Sequence, residues 1–240
     1  VLRYTASRIS ANGDSVSVDA GAALQDLVDF TINAGLRGLE TMTGIPGSVG
    51  AAIYGNAGAY GHSISESVEC VSFVDGQEVR LFQCEECCFE YRESIFKRRK
   101  DWVILSADLR LSPADPAELR QTADDILRMR NQKYPPTMKC AGSIFKNLLL
   151  ADLPPELVAQ IPARVIREGK VPSAYFLEAA GAKGMKNGDI QVADYHANLI
   201  YNSGQGTAAQ LREIITELKK RVHERFGLQL EEEVQYVGFD

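Results

Sequence analysis

Apolar and polar positions follow two periods along this chain. From Ser15 to Asp19 they alternate singly, the mark of a half-buried strand, and Gly21 closes the run. Over residues 22–34 the apolar side chains Ala23, Leu24, Leu27, Val28, Phe30 and Ile32 recur at helical spacing. Asp26 and Asp29 take the opposite side, which predicts an amphipathic helix stopped by Gly35. Residues 68–73 and 78–82 flank Asp75-Gly76, a hairpin signal. Residues 102–111 read as a further strand, and Val1 to Tyr4 reads as the inside of one. These elements predict an α+β domain over residues 1–112.

Pro113 to Pro116 marks the expected domain boundary, with a second α+β domain over 113–240. Its first helix is predicted at 117–132, with Leu119, Ala123, Ile126, Leu127 and Met129 as the apolar side. Residues 153–161 are broken by prolines, and 174–184 run small and apolar into Gly181-Ala182-Lys183-Gly184. Gly188-Asp189 is a turn between the end of that stretch and a short strand at Ile190–Ala193. A second strand follows at His196–Asn202. Thr207 is an N-cap for a helix over Ala208–Phe226, whose Leu211, Ile214, Ile215, Leu218 and Val222 keep helical spacing. Gly227 ends it. A last strand is expected over 228–237, where alternation puts Glu231 and Glu233 on one face.

The 240 residues are 45% apolar and 24% charged, an ordinary globular composition. The net charge of −6 argues against nucleic acid or an acidic membrane as partner. It leaves room for an anionic small ligand held by a few local cations. The five cysteines, Cys70, Cys84, Cys87, Cys88 and Cys140, are odd in number and crowded, which suits reduced thiols in a cytoplasmic protein. Cys84-x-x-Cys87 lacks a second Cys/His pair at ligand spacing, so no metal site is expected. No transmembrane run or signal peptide is visible. The sequence opens at Val1 and reads as a protein entered partway through its first domain.

Several stretches carry candidate chemistry. Gly44-Ile45-Pro46-Gly47-Ser48-Val49-Gly50-Ala51-Ala52 and Asn56-Ala57-Gly58-Ala59-Tyr60-Gly61 are small, glycine-rich and almost uncharged. They fit tight turns, or a wall that lets backbone approach a flat or phosphorylated ligand. Tyr91-Arg92 and Ser94 precede a basic tip, Lys97-Arg98-Arg99-Lys100, that reads as a solvated loop. Ala141-Gly142-Ser143-Ile144-Phe145-Lys146-Asn147 places a hydroxyl where no helix can run. Taken singly, each residue has an ordinary structural explanation: a surface ion pair for Arg92, a solvated charge for Glu233, a backbone contact for His196.

In their order, these segments together with Gly181-x-Lys183-Gly184, His196-Ala197-Asn198 and Leu230-Glu231-Glu232-Glu233-Val234 resemble the UDP-N-acetylenolpyruvoylglucosamine reductase family. The resemblance runs from the first glycine cluster to the C-terminus. It implies a vanillyl-alcohol-oxidase-type FAD-binding domain followed by a substrate-binding domain. It further implies NADPH as reductant, and reduction of an enolpyruvyl nucleotide-sugar in peptidoglycan synthesis. By resemblance Arg92, Ser143 and Glu233 occupy catalytic positions. Lys133, Asn147 and Tyr91 occupy substrate positions, and Ile45, Pro46, Gly47, Ala51, Ala57 and Gly58 face FAD.

The chemistry supplies its own reasons. Hydride added to an enolpyruvyl ether pushes negative charge toward the adjacent carbon and its carboxylate, which a fixed guanidinium stabilises. A glutamate beside that carboxylate helps in protonated form or through a shared hydrogen bond. A serine hydroxyl can protonate the carbon if a cation such as Lys133 favours its alkoxide. The sequence departs from the family pattern at Gln235, where arginine is usual, and at Leu148, where proline is common. It also lacks the glycine-rich N-terminal loop that cradles the FAD pyrophosphate, so the N-terminal lobe of that domain is expected to be missing. The short span from Tyr91 to Ser143 resembles the compact form without a lid tyrosine. Two other readings stay open from residues alone: a different FAD-linked oxidase of the same fold, and a truncated nucleotide-sugar-binding protein without catalysis.

Overall fold

A computed structural model describes residues 4–239. The expected strand at Val1 to Tyr4 lies almost wholly outside them. The chain forms two compact units, Val1–Lys133 and Tyr134–Asp240.

The first unit is built on a five-stranded antiparallel sheet. Its strands are β1 (Ile9–Asn12), β2 (Ser15–Asp19), β3 (Val68–Val74), β4 (Val79–Gln83) and β5 (Val103–Arg110), in spatial order β1-β2-β5-β3-β4. Alternation sets the register. Val16 lies opposite Leu109, and Ala107 stands between Val18 and Val71. All of these side chains are buried, as is Phe73. Phe73 stacks on Trp102 at 4.6 Å and meets the edges of Phe82 and Phe96, contacts worth about 0.5–1.5 kcal/mol each beyond area burial. The β3–β4 hairpin closes as the Asp75-Gly76 signal predicts. Gly76 takes φ +96°, and the Asp75 carboxylate accepts from the amides of Gln77 and Glu78.

Helix α1 (Leu24–Asn33) buries Leu24, Leu27, Val28, Thr31 and Ile32, a stripe at helical spacing. Gly35 ends it at φ +69°, a conformation that costs glycine little. Helix α2 (Val49–Tyr54) follows the first glycine cluster, with Ser48 capping the amide of Ala51. Helix α3 (Pro116–Lys133) buries Leu119, Ala123 and Ile126, but Leu127 and Met129 are exposed. The expected apolar side is therefore narrower by those two residues. Leu119 and Ala123 belong to the first unit's core, and Arg120 donates to Asp29 on α1. The units consequently divide after α3, at Lys133/Tyr134, whereas the prolines at 113 and 116 pointed to a break before it.

The second unit has a four-stranded antiparallel sheet: β6 (Lys139–Ser143), β7 (Lys186–Asn187), β8 (Ile190–Ala193) and β9 (His196–Asn202), in order β6-β9-β8-β7. Helices α4 (Ser173–Ala179) and α5 (Ala208–Phe226) complete its core, where Phe176 meets the edge of Phe226. Thr207 and Gln210 form a reciprocal capping box at the start of α5, and Gly227 ends it at φ +70°. The expected last strand does not form. Residues 228–237 make one isolated antiparallel bridge, Glu232 to Phe145. The Glu231 and Glu232 carboxylates pair with Lys146 and Lys219 respectively.

Candidate active site

In the first unit, the second glycine cluster is tied to the end of the first by a bond from Ala57 N–H to the Ala52 carbonyl at 2.7 Å. Three backbone bonds lay residues 47–50 against 20–24: Leu24 N–H to the Gly47 carbonyl, Val49 N–H to Ala22, and Gly50 N–H to Ala20. At Gly50 a Cβ would sit 3.0 Å from the Ala20 methyl, so this glycine serves close packing. Pro46, Gly47 and Ala51 are exposed, Ile45 packs partly on the core, and Ala57 and Gly58 are half-buried. The face presents no side chain larger than the proline ring along Pro46, Gly47 and Ala51.

Arg92 sits in a tight turn in which Glu90 and Glu93 exchange backbone hydrogen bonds at 3.1 Å. Its φ is +59°, a left-handed conformation uncommon for a non-glycine residue and typical of functional strain. The guanidinium donates to the carbonyl of Gly58 at 2.7 Å and to that of Asn56 at 3.5 Å. Thus Arg92 reaches back to the glycine wall, and Glu93 next to it pairs with Lys97 at 2.9 Å. Asn56 joins the same two loops. It is buried, has φ +42°, and its amide donates to the Glu90 carbonyl at 2.8 Å while accepting from Ser65 N–H. Sequence reasoning passed over Asn56 as a pin; its signal was an asparagine beside glycine, a pair that tolerates positive φ. The basic tip is largely consumed internally, with Arg98 on Glu90 and Arg99 over the Trp102 ring.

In the second unit, Ser143 ends β6 at a bulge. Cys140 pairs with Tyr201 and Ser143 with Leu199, so β6 spends one more residue than β9 over this interval. Gly142, at φ +79°, takes up the extra length. The bulge resets the alternation and puts Ser143 on the same face as Cys140. The next residues are locked from below by Asn198. Its buried amide donates to the Phe145 carbonyl and to Ser173 Oγ, both at 2.8 Å, and accepts from Phe145 N–H at 2.9 Å. His196 Nδ1 accepts from Asn198 N–H at 3.2 Å. Asn147 accepts from Ser173 N–H at the start of α4.

Glu233 is brought to the serine strand by backbone pairing: its N–H donates to the Ile144 carbonyl at 2.8 Å, and Lys146 N–H donates to Glu231 at 2.9 Å. Ser143, Asn147 and Glu233 therefore gather in the second unit. Arg92, Tyr91 and the glycine wall gather in the first, where Lys133 is the last residue of α3. Lys183 pairs with Glu178. An apolar cavity of about 390 Å³ between β6, β9 and the start of α5 is lined by Cys140, Ile144, Ile190, Ile200 and Leu211, and by none of the expected site residues.

The five cysteines are free thiols. Burial pushes Cys87 up to about 12 and, with the neighbouring Asp108 carboxylate, Cys70 up to about 11. Among the described residues, no group of three or more His, Cys, Asp or Glu is placed to hold a metal ion, and no helix is long and apolar enough to cross a membrane.

The small-residue wall and the sheet beneath it belong to the flavin-binding class of domain: a family model described as "FAD binding domain" matches residues 3–81. A model described as the C-terminal domain of UDP-N-acetylenolpyruvoylglucosamine reductase matches residues 134–237. Over 99% of its length the chain is 61% identical to the protein of that name from Solibacter usitatus, covering 76% of the relative. It is 35% identical to the Thermotoga maritima reductase over 95% of its length, covering 74% of that relative. The crystal structure of the Thermus caldophilus reductase superposes with a TM-score of 0.70 at 28% identity, across 91% of this chain and 71% of that one. The chain belongs to the UDP-N-acetylenolpyruvoylglucosamine reductase family.

Proposed function

We propose that this protein is an FAD-containing, NADPH-dependent oxidoreductase that reduces the enolpyruvyl group of UDP-N-acetylglucosamine enolpyruvate to give UDP-N-acetylmuramate for peptidoglycan synthesis. Family membership across nearly the whole chain carries the reaction. The bulge at Gly142, which turns the Ser143 hydroxyl to one face of its strand, is the structural observation that best supports the roles assigned to residues.

FAD, once reduced by NADPH, supplies the hydride when bound. Ile45, Pro46, Gly47, Ala51, Ala57 and Gly58 would hold the ring system, since their small side chains leave its face open. Arg92 stabilises the negative charge that develops on the substrate's enol and carboxylate, and a guanidinium pre-positioned by the Gly58 carbonyl need not reorganise to do so. Ser143 donates the proton to the adjacent carbon. Glu233 acts as the acid partner beside the carboxylate. Lys133, Asn147 and Tyr91 hold the nucleotide-sugar. Crowded reduced thiols fit a cytoplasmic setting, and no obligate protein partner enters this reading.

The test uses the flavin-loaded protein with NADPH and the enolpyruvyl substrate. NADPH consumption that depends on substrate is expected. Ser143→Ala should block reoxidation of the flavin by substrate while sparing its reduction by NADPH. Both half-reactions proceeding at the parent rate would remove Ser143 from the mechanism.

A further inference from the structure

A serine hydroxyl has one hydrogen and two acceptor lone pairs. To hand that hydrogen to carbon, it must not spend it on a neighbouring acceptor. The Tyr134 hydroxyl stands 3.1 Å from Ser143 Oγ, with both groups partly buried in the second unit. The loop between them is short and held: Pro135 and Pro136 restrict it, and Met138 N–H closes on the Pro135 carbonyl at 2.8 Å. Of the two possible directions for this bond, only donation from tyrosine leaves the serine hydrogen free for substrate.

We propose that Tyr134 is the positioning residue of the proton donor, holding Ser143 Oγ as a hydrogen-bond donor and returning a proton to it after each turnover. The idea rests on the proton-donor role of Ser143 proposed above. In the first step the Ser143 O–H bond breaks and its proton joins the electron pair on the substrate carbon, forming C–H. The O–H electron pair stays on Oγ. In the second step the Tyr134 O–H bond breaks and its proton moves to Oγ. The phenolate then takes a proton from water. A phenol, with a reference pKa of about 10, is a far stronger acid than an alcohol, so the return runs downhill. Among the titratable groups around this pair are Cys140, Tyr195 and Tyr201, with Lys133 adjacent in sequence and Glu233 paired to the residue after Ser143. Cys140 and Tyr201 are opposed in the β6–β9 register, and Tyr195 stands exposed at the β8–β9 turn.

Two measurements test this. In the protein without flavin, thermal unfolding of Tyr134→Phe, Ser143→Ala and the double variant reads the contact itself. The double variant is expected to melt no lower than the worse single variant; strictly additive losses would overturn the contact. In the flavin-loaded protein, Tyr134→Phe should slow substrate-dependent flavin reoxidation by roughly 10²-fold, the scale of a lost acid–base contribution. KM and reduction by NADPH should be unchanged, and the solvent deuterium isotope effect should rise. A purely structural tyrosine would instead change KM and leave the isotope effect alone, which overturns the proposal. If Ser143→Ala is blocked while Tyr134→Phe runs at the parent rate, the tyrosine role falls and the serine role stands. If Ser143→Ala itself reoxidises normally, both fall.

Discussion

The Arg92 guanidinium donates to the Gly58 carbonyl at 2.7 Å while its own backbone is held at φ +59°. One residue thus bridges the glycine wall and bears the strain of its turn. Replacing it separates the two effects. Arg92→Ala and Arg92→Gly both remove the side chain, but only glycine relieves the left-handed backbone. The glycine variant should be the more stable of the two by about 1 kcal/mol in urea unfolding. Neither should turn over substrate.

Gly58 itself has no room for a methyl group. A Cβ there would lie 2.3 Å from the His62 carbonyl oxygen, within the short pairing of Gly58 with Ser63. Gly58→Ala should cost about 1–3 kcal/mol, the usual range for overpacking. Because Ala57 and Gly58 are proposed to face FAD, the purified variant should also carry less flavin, read from its visible absorption.

Asn198 gathers three strong contacts beneath the serine segment. Asn198→Ala leaves the Phe145 amide and carbonyl without their side-chain partner in a buried place. A loss of about 2–3 kcal/mol is expected by urea denaturation, the range for stranding buried polar groups. Asn198→Asp keeps the acceptor and loses the donor, and should fall between the parent and the alanine variant only at acid pH, where the new carboxyl is protonated.

The thiols should report on alkaline stability. Cys70 and Cys87 are held protonated in the folded chain, up to about 11 and about 12, against an ordinary value of 9.0. The unfolded chain therefore releases these protons first. The contribution is fully present below pH 9 and is lost as pH rises through the folded values. Urea midpoints should drop between pH 9 and about 12, and Cys87→Ala should flatten that drop. Alkylation near pH 8 should label exposed Cys88 well before buried Cys87.

Much of the fold is visible in residue order because local chemistry decides it. Thr207 with Gln210 starts α5, Gly227 ends it, and Asp75-Gly76 turns the hairpin. Where long-range contacts decide, the pattern misleads. Pro113 and Pro116 look like a linker, yet Leu119 and Ala123 fasten α3 to the preceding core. The alternation near Glu231 looks like a strand, yet residues 228–237 pair only locally, through one bridge to Phe145. The site behaves likewise. Arg92, Ser143 and Glu233 stand out through the ordered set of motifs they share with a family. Asn56 and Asn198 lie inside those motifs and Tyr134 outside them, but the contacts that give all three their parts are not legible, since each acts through a partner distant in sequence or through one specific angle. For Asn198 a further clue is a polar residue beside buried Leu199 and Ile200.

Gly142 carries a lesson for anyone editing this protein. A β-branched residue in its place, as in Gly142→Val, disfavours φ +79° and favours a regular ladder, while an expression or melting screen could pass it. With the bulge straightened, Ser143 would fall opposite Asn198 instead of Leu199, and the hydroxyl would swing to the opposite side of its strand. At this one glycine a single substitution separates a well-behaved protein from a working one.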